Sequence, residues 1–267
     1  LGLLWMLGGF GLAAADLGLR VTSGGFEFQG RPFRGVGVNY YDAFVRSLSP
    51  TPKAPSSEAF AELKSRGIPF ARFSAGGYWP VEWGLYRTNR AEHFVRLEAL
   101  VRLAEQHQVG LIPSLFWHLP TVPDLVGEPV SAWGDPGSRT MALMRDYTRQ
   151  VVRRFRDSPA IWGWEFGNEY NLPADLPNAA EHRPAVVPSL GTPPSRTERD
   201  EITHAQFRTA LREFARAVRL EDPHRALFSG NAFPRPSAWH QMQDRSWTRD
   251  SDAEWASVLE GENPDPI

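Results

Sequence analysis

From residue 17 onward, short apolar segments suited to strands are followed repeatedly by longer segments with apolar residues at helical spacing. "FEFQGRPFRGVGVNYY" reads as a hairpin turning at Gln29-Gly30 and running into a strand through Gly35 to Tyr40. Ser56 and Ser57 precede "EAFAELKSRG", which predicts a capped helix ending at Gly67. "IPFARFS" is a strand. "AEHFVRLEALVRLAEQHQVG" is a helix that sets Phe94, Leu97, Leu100, Val101 and Ala104 on one face and stops at Gly110. "LIPSLFWH" is a strand, "RTMALMRDYTRQVVRRFRDSP" a helix with a solvated basic face, and "IWGWEFGNE" a strand again. A stretch rich in Pro, Ala and charge, "PADLPNAAEHRPAVVPSLGTPPSRTERDE", reads as a long loop of the kind usually kept for function. The helix "EITHAQFRTALREFARAVRLEDP", the strand "RALFSGN" and the short helix "SDAEWASVLEG" follow, and "ENPDPI" reads as a turn into a further strand.

Repeated strand-then-helix units imply parallel pairing through right-handed crossovers, in either an eight-stranded barrel or an open doubly wound sheet. The open sheet usually carries a glycine-rich phosphate loop after its first strand, whereas here that strand ends "VNYYDAF". Polar residues recur at the carboxyl ends of successive strands: Asn39, Arg72, His118, Asn168 with Glu169, and Asn231. In a barrel those ends converge on one mouth, where the chemistry of the fold resides. The expected fold is therefore an α/β protein of the (β/α)8 TIM-barrel class, with about the first five βα units present.

The segment "IWGWEFGNEYNL" places two glutamates and an asparagine inside an otherwise core-like strand. Strand alternation puts Glu165, Gly167 and Glu169 on one face and Trp164, Phe166 and Asn168 on the other. With the first face inward, Glu165 lies deep and Glu169 at the rim. A buried carboxylate needs a partner. Arg72 shares a face of the second strand with Phe70 and Ser74 and can reach the same space, so Glu165 is expected in a structural pair with Arg72, and Glu169 in catalysis.

Composition narrows the class of function. With 29 Lys+Arg against 31 Asp+Glu there is no basic footprint for nucleic acid. The 10 Trp suit either stacking on flat, hydroxyl-rimmed ligands or an aromatic core. The absence of cysteine excludes disulfides, thiolate catalysis and Cys-ligated zinc. Residues 1–16, "LGLLWMLGGFGLAAAD", are apolar and end in small residues, like the core and cleavage site of a secretory signal. The chain is thus expected to be exported, with residues 17–267 as the incomplete catalytic barrel domain and no membrane association after cleavage.

"FEFQGRPFRGVGVNYYD", "FARFSAGGYW", "LIPSLFWH", "IWGWEFGNE" and "NPDPI", in that order and at barrel spacing, resemble glycoside hydrolase family 5, the cellulase family of the large barrel clan. The resemblance implies a retaining hydrolase of a β-linked polysaccharide or oligosaccharide, of β-glucan or β-mannan type, with a carbohydrate as its partner and no metal or organic cofactor. Glu169 is then the general acid and base, Asn168 a ligand of the sugar 2-hydroxyl, Arg72 the residue that orients the nucleophile, and His118 part of the cleavage subsite. Trp117, Trp79 and Trp83 are candidate sugar platforms. The family's nucleophile ends a seventh strand, which this chain is not expected to reach. Asp42, Glu82, Asp124 and Asp175 lie in loops on the mouth side, but none follows a strand in the family's position. On this reading the chain is a fragment of a longer protein, inactive and poorly stable by itself. A non-catalytic carbohydrate-binding barrel is the alternative.

Overall fold

A computed structural model of the protein describes residues 17–49 and 51–264. The signal-like run 1–16 lies outside the described residues, as does 265–267, the end of the turn read as leading into a further strand.

Two sheets form. The first is antiparallel and small, with β1 (Leu19–Thr22), β2 (Gly25–Phe28) and β3 (Arg31–Pro32) in that order. Its second turn falls at Gln29 and Gly30, whose φ angles of 52° and 72° match the left-handed pair of a tight hairpin. The strand β1 was not distinguished in the sequence. The second sheet is parallel and runs β4 (Val38–Asn39), β5 (Phe70–Ser74), β6 (Gly110–Phe116), β7 (Gly163–Gly167) and β8 (Ala226–Phe228), in sequence order. Each strand pairs with the next, the arrangement that winds into a barrel. Among the described residues the sheet is open. The first barrel strand is shorter than the expected run from Gly35 to Tyr40, since only Val38 and Asn39 pair with β5.

Among the described residues eight α-helices accompany the strands: α1 (Ser57–Ser65), α2 (Gly84–Thr88), α3 (Arg90–His107), α4 (Thr121–Val126), α5 (Arg139–Phe155), α6 (His204–Arg219), α7 (Ala238–Asp244) and α8 (Asp252–Gly261). Ser56 caps α1 by accepting from the Ala59 amide at 3.1 Å. The apolar stripe of α3 is buried as expected, from Phe94 to Ala104. Its end differs from expectation. Gln108 adopts the left-handed cap with φ 55°, and Gly110 instead opens β6, where any side chain would run into the indole of Trp162.

The outer face of the parallel sheet, including Ala71, Phe73, Leu111, Leu115, Trp164 and Phe166, packs with apolar residues of α3, α5 and α6 in one continuous core. Trp164 satisfies its indole donor inside that core by bonding to Asp222 Oδ2 at 2.9 Å. Asp222 is held in turn by the buried Arg225, at 2.6 Å. A second cluster closes the amino-terminal ends of the strands. There Trp162 meets the tilted ring of Phe28 at 4.3 Å and Phe33 edge-on at 5.3 Å, and the Leu19 amide donates to the Trp162 carbonyl at 2.6 Å. The small sheet thus covers the amino-terminal end of the parallel sheet, opposite the carboxyl ends of its strands.

Candidate active site

β7 turns Trp164 and Phe166 into the helix-side core and presents Glu165 and Gly167 to the inner side. Glu165 is only 5% exposed, and it meets Arg72 of β5. The guanidinium Nε lies 2.7 and 2.8 Å from the two carboxylate oxygens, with Nη2 at 2.7 Å from Oε1. Arg72 also donates through Nη2 to the Gly167 carbonyl and through Nη1 to Asn168 Oδ1, both at 3.1 Å. Burial raises the Glu165 carboxyl above its usual range, while Arg72 and Ser114 pull against that rise. The expected Glu165–Arg72 pair is present.

Asn168 departs from the expected alternation. It shares Arg72 with Glu165 instead of facing the opposite side, because β7 ends at Gly167 and the backbone turns immediately, with Glu169 at φ 57°. Arg72 offers only donors, so it fixes the Asn168 amide with its oxygen inward and its NH2 outward. That NH2 lies 3.4 Å from Glu169 Oε2. Glu169 itself is exposed at the rim.

Gly230, just past β8, holds this turn from the far side: its carbonyl accepts the Glu169 amide at 2.9 Å. At φ +75° and against β7, a Cβ there would fall on the Gly167 carbonyl oxygen and reach within 3.0 Å of the Glu165 carboxyl carbon. Gly230→Ala is expected to cost at least about 2 kcal/mol in chemical denaturation, from left-handed strain and overpacking together.

His118 follows β6. Its ring stacks on Tyr78 at 4.2 Å and 9°, with the edge of Trp79 at 5.0 Å. Nδ1 lies 3.2 Å from the Tyr78 carbonyl and 3.1 Å from Thr121 Oγ1, and Thr121 itself donates to that carbonyl. Since the carbonyl can only accept, the proton sits on Nδ1, and Nε2 is left as an acceptor. Burial pushes the His118 pKa down to about 4; the bond to Tyr78 opposes this and the Arg196 charge adds to it. The imidazole is therefore neutral at ordinary pH.

The tryptophans divide. Trp83 is in the core, stacked on Phe116. Trp117 is 8% exposed and lies under the Arg72 guanidinium at 4.1 Å, so it supports that group by cation–π contact. Trp79 keeps part of its surface open. Tyr78 and Thr121, which complete the His118 environment, were missed in the sequence. The only signal for Tyr78 was its place in "GGYW" after β5.

The four carboxylates that the sequence placed in mouth-side loops are all committed, and they are not all in loops: Asp124 lies in α4, and Asp42 and Glu82 in 3-10 turns. Asp42 pairs with Arg46 at 2.7 Å. Glu82 accepts the amides of Tyr78 and Trp79 at 2.6 and 3.0 Å. Asp124 takes both terminal nitrogens of Arg196, at 2.6 and 2.7 Å. Asp175 lies 3.2 Å from His204 Nδ1, whose Nε2 is 3.2 Å from Glu262. Glu262 also accepts from Asn171 and Asn231, at 3.3 and 3.0 Å, so the strand-end Asn231 serves this network.

Burial alone works against charging His204, but the bonds to Asp175 and Glu262 outweigh it and raise its pKa above the ordinary 6.5. A raised folded pKa gives stability that is fully present below the unfolded value and lost as pH rises through the folded one. Thermal melts are expected to show a midpoint falling as pH climbs above 6.5, with the slope flattened in His204→Gln. A slope unchanged in the variant would remove His204 from this role.

Among the described residues, no group of three or more His, Asp or Glu is placed to hold a metal ion. No helix among them is long and apolar enough to cross a membrane.

No family model matches the chain. It is 26% identical over 193 residues to mannan endo-1,4-beta-mannosidase 7 of Arabidopsis thaliana, covering 64% of this chain and 44% of that protein. In structure it resembles the endo-1,4-beta-mannanase from Rhizomucor miehei, with a TM-score of 0.56 and 14% identity over 81% of this chain and 61% of that one. It also resembles a glycoside hydrolase family 5 mannosidase from Rhizomucor miehei, with a TM-score of 0.56 and 12% identity over 86% of this chain and 59% of that one. The chain thus spans less than two thirds of each of these proteins. Its five parallel strands share part of the fold of these enzymes, one of which is of glycoside hydrolase family 5, the family that its strand-end residues resemble.

Proposed function

We propose that this chain is the amino-terminal part of the catalytic barrel of an exported retaining glycoside hydrolase. Its substrate is a β-linked polysaccharide or oligosaccharide of mannan or glucan type, and the similarity to mannan-acting enzymes favours mannan. The observation that carries this reading is the Asn168–Glu169 pair just past the end of β7, with Asn168 half-buried and Glu169 exposed, braced from below by the Arg72–Glu165 pair.

Glu169 protonates the leaving glycosidic oxygen and then, as a carboxylate, takes a proton from the attacking water. Asn168 directs its NH2 to the sugar 2-hydroxyl, a contact that strengthens as the transition state forms. His118 accepts a sugar hydroxyl at Nε2, and Trp79 offers its open face to a ring. Arg72 spends its Nε and Nη2 hydrogens and one Nη1 hydrogen on Glu165, Gly167 and Asn168, leaving one Nη1 hydrogen for the nucleophile.

Retention needs a second carboxylate about 5–5.5 Å from the first. Asp42, Glu82, Asp124 and Asp175 are engaged elsewhere, so the nucleophile is assigned to a later strand of the full protein. The test is hydrolysis of β-1,4-mannan and β-glucan by the full-length protein, with the first-formed anomer read by NMR. A β-anomer formed first supports the proposal, and an α-anomer formed first overturns retention. The same commitment of these four carboxylates favours a second reading, a carbohydrate-binding barrel without turnover. Saturable mannan binding with no reducing-end release would establish that one.

A further inference from the structure

We propose that Arg196 is a positioning residue of this site. Its buried fork on Asp124 holds segment 171–203 as a fixed wall beside Tyr78, Trp79 and His118, where a polysaccharide chain would lie. The inference rests on the glycoside-hydrolase reading and extends it to a residue that never touches the reacting bond.

Segment 171–203 follows the turn after β7, and its residues 173–201 were read from the sequence as a long loop. Its three 3-10 turns, at Ala179–His182, Pro188–Leu190 and Glu198–Asp200, give it local shape without a helix or strand. It returns on itself through Arg183 and Glu201, at 2.5 Å, and through the Asp175 amide and the Ile202 carbonyl, at 3.1 Å. It also crosses to its neighbours. Gly191 packs so closely on Pro80, beside Trp79, that a Cβ there would lie 2.9 Å from the proline Cβ. Asp200 accepts the Val130 amide at 3.4 Å.

The centre of this crossing is Arg196, whose side chain is 4% exposed, on Asp124, whose side chain is 1% exposed. Asp124 belongs to α4, which opens at Thr121, the residue that bonds His118 Nδ1. Asp200 lies 3.4 Å from the same guanidinium, and the Arg196 Nε has no hydrogen-bond partner among the described residues. Burying two carboxylates and a guanidinium with a donor left unpaired is a costly way to fasten a loop. An apolar plug of similar volume would often hold it better. What the fork adds is direction, since its two parallel bonds fix the loop relative to α4, and hence to His118, in one orientation. The Arg196 charge also contributes to keeping His118 neutral.

The experiment uses the full-length protein and the variants Arg196→Met and Arg196→Lys, the second keeping the charge but not the fork. Each is assayed on β-1,4-mannan and on an activated aryl β-mannoside that occupies only the cleavage subsite. Amide hydrogen exchange is followed across 185–200. Arg196→Met is expected to raise KM for the polymer about tenfold and to leave kcat on the aryl glycoside within about twofold, with Arg196→Lys in between. Exchange across 185–200 is expected to accelerate while the amides of β5, β6 and β7 stay protected. Unchanged exchange overturns the clamp. Equal loss of kcat on both substrates at constant KM overturns the positioning role and leaves Arg196 a matter of stability.

If the wild-type protein cleaves no β-glycan, the hydrolase reading fails separately. Mannan affinity in gel electrophoresis then replaces KM, and the exchange experiment still decides the clamp. A variant that binds mannan as the wild type does would then overturn the positioning role.

Discussion

Glu169→Gln in the full-length protein is expected to lower turnover of a soluble β-mannan by about 10²–10⁴-fold, the usual share of a general acid–base group. The neutral amide keeps the size and the hydrogen-bonding oxygen of glutamate but can neither deliver nor accept the proton. Folding should be almost unaffected. The side chain is exposed, and among the described residues its one hydrogen bond is a long one from Asn168 at 3.4 Å. Glu169 also stands at φ 57°, a left-handed conformation that costs a non-glycine residue about 1–2 kcal/mol. Glu169→Gly should therefore be inactive yet at least as stable as the parent in urea unfolding, since the backbone strain is relieved. A rate for Glu169→Gln within a few-fold of wild type would remove the residue from catalysis. A large fall in stability for Glu169→Gly would show that it is held there for packing.

The second large effect is on stability. Removing either member of the Arg72–Glu165 pair should cost about 3–5 kcal/mol, because the survivor is left buried with an uncompensated charge. The side chains are 21% and 6% exposed, so solvent gives little relief. Arg72→Met also strips Asn168 Oδ1 of its donor and uncovers the Trp117 ring, so its activity should fall with its stability. Glu165→Gln keeps Asn168 anchored and should lose less activity for a comparable loss of stability. The double variant with apolar residues at both positions should be more stable than either single variant. Chemical denaturation of the three variants checks this, and strictly additive losses would deny that the two charges compensate each other.

The parts of this fold that were legible in the sequence are those written in local periodicity. The stripe from Phe94 to Ala104, the Ser56 cap and the Gln29-Gly30 hairpin each depend on residues a few positions apart, so spacing alone announces them. Glu165 was legible for a different reason: a carboxylate inside an apolar strand demands a cation, and Arg72 stood at the matching depth of another strand. Asn168 was misplaced because alternation was carried one residue past the end of β7, where the left-handed turn at Glu169 breaks it. Nothing periodic marks the end of α3 at Gln108, whose left-handed cap is usually given to glycine. The clamp on the long loop was invisible for a stronger reason. Arg196 and Asp124 are 72 residues apart, each ordinary in its own neighbourhood, and only the fold makes them partners.

The small sheet at the amino-terminal end of the strands has a consequence for how the chain is made. Leu19 must wait for Trp162 before its amide finds the carbonyl it bonds. At about 5–20 residues per second of synthesis, that interval is on the order of 10 s. Throughout it, Phe28 and Phe33 have no indole to cover them, and the hairpin that carries them is too small to be stable alone. The small sheet is thus made well before it is secured. Until Trp162 emerges, those two rings are the surface that a chaperone selective for exposed aromatics would recognise.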